Sequence, residues 1–161
     1  MLAKRYCFLI SFFLFLGCEK DDVCLEGTPG TPRLIIRLMD HDNPNNFKPA
    51  QGYAQEVNSS RPYVYFNSDS IVLALDSAKP STIYAFVFEN LIANDTIRDT
   101  LAFNYGNRKD IYINRACGII AEWTLSTPPV EAVNVSRWYK NASILNDTLR
   151  NENQAHLAIY H

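Results

Sequence analysis

"TIYAFVF", residues 82–88, is the stretch that decides the fold class. All of its residues except Ala85 are β-branched or aromatic, and such side chains favour strands over helices. The stretch has the length of an ordinary strand and is too short for a typical helix. The hydrophobic pattern along the chain repeats every two residues, as it does in strands. Similar stretches are RLIIRLM at 33–39, SIVLAL at 70–75, TLAFNY at 100–105, DIYIN at 110–114, GIIAEWTL at 118–125, ASIL at 142–145 and AHLAIY at 155–160.

Turn-forming residues separate these stretches, for example at 42–46, 79–81, 90–95 and 127–129. Short strands divided by such turns predict an all-β fold, namely an antiparallel β-sandwich of immunoglobulin-like or related type. Gly106 and Asn107 both tolerate positive φ, so we expect a tight hairpin turn at 105–108. No segment after residue 17 shows the sustained period of a helix.

The N-terminus has the pattern of a secretory signal. Lys4 and Arg5 precede residues 6–17, where Ser11 is the only break in an apolar run. A helix needs about 20 apolar residues to cross a bilayer, and this run is shorter. A basic region followed by a short apolar region is typical of a signal peptide. A buried N-terminal helix is the alternative interpretation.

The end of this apolar run resembles a bacterial lipobox. Leu16-Gly17-Cys18 places a small residue before a cysteine, which in that class of protein is acylated and becomes the first residue after cleavage. One acyl chain binds a membrane only weakly, so stable anchoring needs two or more, and a lipidated Cys18 would carry them. The resemblance therefore implies a membrane partner, reached through the lipid anchor.

The residues after Cys18 resemble the surface-export signal of Bacteroidota-type lipoproteins, which has a lysine and two acidic residues at these positions. Lys20, Asp21 and Asp22 match it. The resemblance implies the outer leaflet of the outer membrane, and the alternative is a solvated tether. The expected organisation is a signal peptide at 1–17, a lipidated acidic tether at 18–31 and one β-sandwich domain at 32–161.

Charge and cysteine content limit the partners of the mature chain. Of 15 Lys and Arg residues, two lie in the signal, which leaves 13 against 17 Asp and Glu, a net charge of −4. No basic cluster remains, so nucleic acid is not expected as a partner. Cys24 and Cys117 are the cysteines left in an oxidising compartment, and we expect them to form a disulfide. A metal site is the alternative, although no ligand spacing typical of zinc is present.

Three longer segments resemble an uncharacterised family of small Bacteroidota lipoproteins. They are CLEGTPGTPRLIIRL at 24–38, RKDIYINRACG at 108–118 and NENQAHLAIYH at 151–161. The resemblance covers nearly all of the mature chain. It implies the lipoprotein location and supports pairing of Cys24 with Cys117, and it implies no activity.

Candidate catalytic groups are few. His41 lies between two aspartates, but neighbours in an extended segment point apart and no nucleophile elbow is present. His156 and His161 lie in or just after the last predicted strand. Glu122 and Glu131 would serve a glycosidase only if folding placed them roughly 5–9 Å apart. We therefore assign no catalytic residue, no metal and no cofactor.

The function expected from the sequence is that of an outer-membrane surface lipoprotein with a non-catalytic binding or accessory module for a protein or glycan partner. The alternative is a small envelope hydrolase or carbohydrate-handling module. An exposed aromatic patch, for which Trp123, Trp138 and Tyr139 are candidates, would favour the first. A concave pocket lined by convergent polar groups would favour the second.

Overall fold

The computed structural model describes residues 23–90 and 95–161, and within these ranges every regular element is a strand. The all-β prediction is therefore confirmed. No helix in the described part of the chain is long and apolar enough to cross a membrane. The strands are β1 (Leu34–Met39), β2 (Ala50–Glu56), β3 (Val64–Ser68), β4 (Ser70–Leu73), β5 (Ser81–Asn90), β6 (Asp95–Asn114), β7 (Gly118–Ala132), β8 (Asn141–Ile144), β9 (Thr148–Leu149) and β10 (Leu157–Tyr160).

The strands form two sheets, as expected for a β-sandwich. One sheet has four strands in the order β4-β1-β10-β8, and the other has six in the order β3-β2-β5-β6-β7-β9. β1 and β10 run parallel, whereas β1–β4, β10–β8, β2–β3, β2–β5, β5–β6 and β7–β9 are antiparallel. The antiparallel-rich sandwich predicted from the sequence is confirmed.

The period of two is visible in the burial of β1. Leu34, Ile36 and Leu38 are fully buried, and the residues between them are half-buried. The same alternation on β5 and β6 brings aromatic rings into the core, where Phe86 and Phe103 lie 6.2 Å apart between ring centroids. Burial of a side chain of this size stabilises the fold by about 1.5–3 kcal/mol. The inward faces of both sheets therefore hold the domain together.

The predicted hairpin at 105–108 was wrong. β6 passes straight through these residues, and the turn lies at 115–117, between β6 and β7. Asn107 has a φ of 48°, so it does adopt the left-handed conformation that suggested a turn. Within a strand that conformation is typical of a local bulge, which bends the strand without ending it. The flanking residues, from Leu101 to Asn114, continue the strand on both sides.

The predicted turn at 127–129 was also wrong, because β7 continues to Ala132. The Thr127–Pro128 peptide bond is cis. Proline has no N–H to donate to a ladder, and it is tolerated in a strand where that donor is not needed. Asn104 donates from its side chain to the Pro128 carbonyl at 3.4 Å, so this part of β7 still contacts β6.

The described residues divide into two compact units. Pro29–Ile111 and Ile120–His161 form the larger one, and the smaller one combines residues 23–28 with Tyr112–Ile119. Cys24 and Cys117 form a disulfide within the smaller unit, with a Cα–Cα distance of 4.9 Å. The predicted disulfide is confirmed. Both thiols are used in this bond, so they do not form the alternative metal site.

Candidate functional site

Four of the sequence-predicted site residues lie outside the described residues. These are the lipidation candidate Cys18 and the export-signal candidates Lys20, Asp21 and Asp22. The structure therefore leaves the anchor and the export signal as predictions. The site described below is built from the larger compact unit alone.

His156 is a structural residue. It is fully buried, and its Nδ1 accepts the Ile35 backbone N–H at 3.1 Å. Nδ1 must therefore be unprotonated, so Nε2 carries the proton and donates to the Asn151 carbonyl at 3.0 Å. Burial lowers the pKa of His156 and outweighs that hydrogen bond and the nearby Glu152, both of which raise it. The imidazole joins β1 to the loop before β10, with both nitrogens engaged.

Trp138 lies between two other rings in the larger unit. Its ring stacks on Phe88 at 3.8 Å and on His161 at 4.2 Å between centroids. The His161 Nε2 lies 2.9 Å from the Lys48 carbonyl. Burial lowers the pKa of His161, although its hydrogen bond to Lys48 acts in the opposite direction. His41 is exposed and contacts His161 through a backbone hydrogen bond of 3.3 Å, whereas the ring of His156 contacts Ile35 and Asn151.

Asp99 positions the segment that carries Trp138. Its Oδ2 accepts the backbone N–H groups of Trp138 at 2.8 Å and Tyr139 at 3.0 Å, and also the Ser136 hydroxyl. Its Oδ1 accepts the Arg137 N–H at 3.1 Å. Burial disfavours the charged form, but these hydrogen bonds together outweigh it and lower the pKa of Asp99. The carboxylate thus accepts four hydrogen bonds from this segment, one of them from the N–H of the buried Trp138.

The aromatic patch and the carboxylate pair considered from sequence do not form a site. Trp123 and Trp138 are core residues and the half-buried Tyr139 packs against the core, so these three do not form an exposed aromatic patch. Glu122 is buried and its Oε1 lies 3.2 Å from Arg150 Nε, whereas Glu131 is exposed. In residues 23–90 and 95–161, no group of three or more His, Cys, Asp or Glu side chains is arranged to hold a metal ion.

An exposed aromatic cluster does exist, on β2 and β3. Tyr53 lies directly opposite Tyr65 in the β2–β3 ladder, and their ring centroids are 5.8 Å apart. Tyr63, just before β3, lies 5.2 Å from Tyr53 in an edge-on arrangement and 6.2 Å from Tyr65. Tyr63 is 47% exposed and Tyr65 is 75% exposed. We call Tyr53, Tyr63 and Tyr65 the tyrosine face.

The alternation of the two strands produces this face. On β2, Gly52, Ala54 and Glu56 are buried, which turns Tyr53 to the other side of the sheet. On β3, Phe66 is buried and Tyr65 points away from the core. Gly52 is required for the close approach of β2 to β5. A Cβ atom at this position would lie 2.0 Å from the Val87 carbonyl oxygen.

Amide side chains border the tyrosine face. Gln51 lies opposite Asn67 in the β2–β3 ladder, and each is two residues along its strand from the Tyr53–Tyr65 pair. The Gln51 Nε2 donates to Glu89 Oε2 at 3.1 Å, which extends this polar row onto β5. Gln55 lies on the other side of Tyr53 along β2. The face therefore combines aromatic rings with uncharged groups that can both donate and accept hydrogen bonds.

Two cavities adjoin this polar row. One of about 280 Å³ lies beside Tyr65 and includes Phe66. The other, of about 510 Å³, includes Phe88, Ile97 and Trp138, with Lys48 and His161 also in its wall. The larger volume lies within the usual range of ligand sites. Both cavities are lined by Gln51, Asn67 and Glu89.

A third cavity, of about 370 Å³, adjoins the other end of the tyrosine face at Tyr63. The buried Glu56 carboxylate lies in its wall and pairs with Arg61 at 2.9 Å. Tyr84 also lines it and donates its hydroxyl to the Ala74 carbonyl at 2.7 Å. Burial, followed by the nearby Glu56, raises the pKa of Tyr84 to about 12, so this phenol stays protonated.

Comparison with known proteins places the chain in an uncharacterised family. Residues 53–161 match a family described as "Family of unknown function (DUF6452)". The chain belongs to this family. The matched DUF6452 region includes all three tyrosines of the tyrosine face. Searches of curated proteins and of solved structures returned no match.

The tyrosine face was not predicted from the sequence, although the sequence contains a signal for it. Tyr63 and Tyr65 are two residues apart, as are Gln51, Tyr53 and Gln55, which is the spacing of side chains on one side of a strand. The segments lack runs of β-branched residues, so they were not identified as strands. Their pairing, which brings the tyrosines together, depends on the register of β2 and β3.

Proposed function

We propose that this chain is a lipid-anchored surface lipoprotein of the bacterial outer membrane and that it acts as a non-catalytic binding module. The tyrosine face is the binding surface in this proposal. The observation that carries it is the exposure of Tyr63 and Tyr65 beside Tyr53 on the outer side of the sheet. Large aromatic groups clustered at a surface are typical of interaction sites.

Tyrosine is well suited to such a surface. Its ring offers a large rigid contact area, and its hydroxyl remains hydrated or hydrogen-bonds to the ligand. The ring contacts among Tyr53, Tyr63 and Tyr65 limit the freedom of the side chains before a ligand binds. Less conformational entropy is then lost on binding. A preformed aromatic surface on paired strands can therefore bind without rearrangement of the backbone.

The proposed location rests on the N-terminal sequence. The Leu16-Gly17-Cys18 pattern supports acylation of Cys18, and Lys20-Asp21-Asp22 supports export to the outer leaflet. A lipid anchor would hold the domain at the membrane and leave its surface accessible from outside. The tyrosine face is consistent with this arrangement, because Tyr63 and Tyr65 are exposed and are not covered by another described segment of the chain.

Photo-crosslinking in intact cells tests the binding face. Tyr65 is replaced by a photoreactive phenylalanine analogue, which keeps an aromatic ring in place. Tyr112 is replaced in the same way as a matched control, because it is 66% exposed and lies outside the tyrosine face. Irradiation should give a larger adduct with the probe at 65 and none with the probe at 112. Absence of an adduct at 65, or equal adducts at both positions, would contradict the proposal.

Two variants test the location. Cells supplied with a clickable palmitate analogue should label the parent chain, and Cys18→Ala should abolish the label. Replacement of Lys20, Asp21 and Asp22 by alanine should protect the protein from protease added to intact cells. Equal labelling of Cys18→Ala would rule out the anchor. Unchanged digestion of the triple variant would show that the three residues are only a tether.

A further inference from the structure

We infer that the ligand of the tyrosine face is an uncharged polysaccharide chain, and this inference rests on the proposed function. Four properties of the surface carry it: the exposed rings, the amide groups beside them, the mixed signs of the described charged groups around it and the length of the surface. Each property corresponds to a feature of a neutral sugar polymer.

The rings match the apolar side of a sugar. The face of an aromatic ring is electron-rich and attracts groups with a partial positive charge. A pyranose ring presents a set of C–H groups on one side, and these can pack flat against a tyrosine ring. Tyr65 is 75% exposed on the edge strand β3, so its ring is accessible for such contact. Tyr53 and Tyr63 surround it at centroid distances of 5.8 and 6.2 Å.

The amides match the hydroxyl groups of a sugar. A hydroxyl both donates and accepts hydrogen bonds, and a primary amide does the same through separate atoms. Asn67 follows Tyr65 by two residues on β3, and Gln51 lies across from Asn67 on β2. Gln55 lies beyond Tyr53 on the same side of β2. Amides therefore flank the rings on both sides along the strands.

The charges on this side of the sheet do not favour an ionic ligand. Glu89 lies next to Gln51 and accepts its amide hydrogen bond. Arg98 pairs with Val87 in the β5–β6 ladder, and Val87 pairs with Tyr53, which places one basic residue farther along the same row. Recognition of a sulfated or phosphorylated polymer requires a cluster of basic groups. Glu89 and Arg98 have opposite signs, Lys48 in the wall of the larger cavity is a single basic group, and Arg61 beside Tyr63 is paired with Glu56. These charges form no basic cluster in the described residues, which suits an uncharged chain.

The length of the surface favours a polymer over a single sugar. Tyr63 and Asn67 are four residues apart, which is about 13 Å along an extended strand. The polar row at Gln51, Asn67 and Glu89 then borders the larger cavity, which contains Trp138. A ligand that contacts both the rings and this cavity must extend over several sugar units.

Affinity electrophoresis of the full chain in detergent tests the inference. Separate gels contain a β-glucan, an α-glucan, an α-mannan, a xylan or, for comparison, a sulfated polysaccharide. At least one of the four uncharged polymers should retard the parent chain. Tyr65→Ala should raise the dissociation constant about tenfold, because it removes the exposed ring. Tyr65→Phe should bind like the parent, since the ring is kept, and Tyr112→Ala should also bind like the parent.

Several outcomes would overturn the inference. The first is that none of the four uncharged polymers retards the parent chain. The second is that Tyr65→Ala binds as tightly as the parent while its melting temperature is unchanged. The third is that the chain binds only the sulfated polymer and that added salt abolishes this binding. The crosslinking experiment separates this failure from failure of the proposed function. A protease-sensitive adduct at position 65 without polysaccharide binding would identify a protein partner and leave the binding face intact. No adduct at position 65 would remove the binding face itself.

Discussion

The carboxylate of Asp99 accepts the backbone N–H of Trp138 at 2.8 Å, and this contact fixes the indole that lines the larger cavity. Asp99 lies on β6, and Trp138 lies on an irregular segment 39 residues later. The segment has no ladder to satisfy its N–H groups, so a buried carboxylate accepts them. The Asp99 carboxylate stays ionised there because it accepts four hydrogen bonds.

Asp99→Asn is therefore expected to destabilise the domain by roughly 2–4 kcal/mol, because an NH₂ group would face backbone donors. Ser136→Ala removes only one of the four donors and should reduce stability by about 1 kcal/mol. Asp110→Asn is the surface control, since that carboxylate is exposed and its pair with Arg108 is worth little. Urea unfolding of the oxidised protein measures all three. Equal midpoints for Asp99→Asn and Asp110→Asn would contradict this role.

Two glycine substitutions, Gly52→Ala and Gly106→Ala, test the close approach of β2 and β5. In Gly52→Ala the new methyl group would meet the Val87 carbonyl oxygen, and we expect a loss of about 3 kcal/mol. Gly106→Ala has open space around the added Cβ, so its effect should stay within about 0.5 kcal/mol. Denaturant midpoints compare the two. If both variants unfold at the same midpoint, the packing assigned to Gly52 is incorrect.

The buried His156 predicts loss of stability in mild acid. Its pKa in the folded state lies below the unfolded value of about 6.5, so the unfolded chain binds more protons as the pH falls below 6.5. Stability is then complete above that pH and decreases as the pH falls towards the folded pKa. His156→Asn keeps an acceptor for the Ile35 N–H and removes this titration. Melting temperatures between pH 7 and 5.5 should therefore depend less on pH in the variant. An unchanged slope would show that His156 does not contribute.

The disulfide predicts a specific pattern among cysteine variants. Cys24 and Cys117 are 93 residues apart, and closing a loop of that length favours folding by up to about 4–5 kcal/mol. Loss of the bond should lower the melting temperature by as much as roughly 15 °C. Cys24→Ser, Cys117→Ser and the double variant should melt together, since each lacks the same bond. A further decrease in the double variant would mean that the cysteines contribute independently.

Much of the sandwich could be predicted from the sequence, and the reason is the composition of its central strands. β1, β4, β5 and β10 are short, largely apolar stretches that contain β-branched or aromatic residues, which are enriched in strands. β2 has the sequence AQGYAQE, which lacks that bias, and it forms a strand because neighbours pair with it on both sides. Tertiary pairing thus overrides local preference at the position where the tyrosine face is built.

The candidate site was harder to predict for the same reason. Tyr53 and Tyr65 are 12 residues apart, and only the β2–β3 register brings their rings together. The aromatic residues that the sequence suggested, Trp123 and Trp138, pack in the core, where large rings contribute most to stability. The disulfide could be predicted because only Cys24 and Cys117 remain once the signal peptide and Cys18 are set aside. Their pairing could therefore be inferred without knowledge of the fold.

Labelling of tyrosine on intact cells tests the central claim most directly. A tyrosine reagent that cannot cross membranes is applied to cells and, separately, to the purified chain, and modified peptides are quantified by mass spectrometry. Tyr65 and Tyr112 have similar exposure, 75% and 66%, so their reactivity can be compared. We expect both to react in the purified chain, and only Tyr112 to react on cells, because ligand covers Tyr65 there. Equal modification of both tyrosines on cells would contradict binding at the tyrosine face, and modification of neither would contradict display at the cell surface.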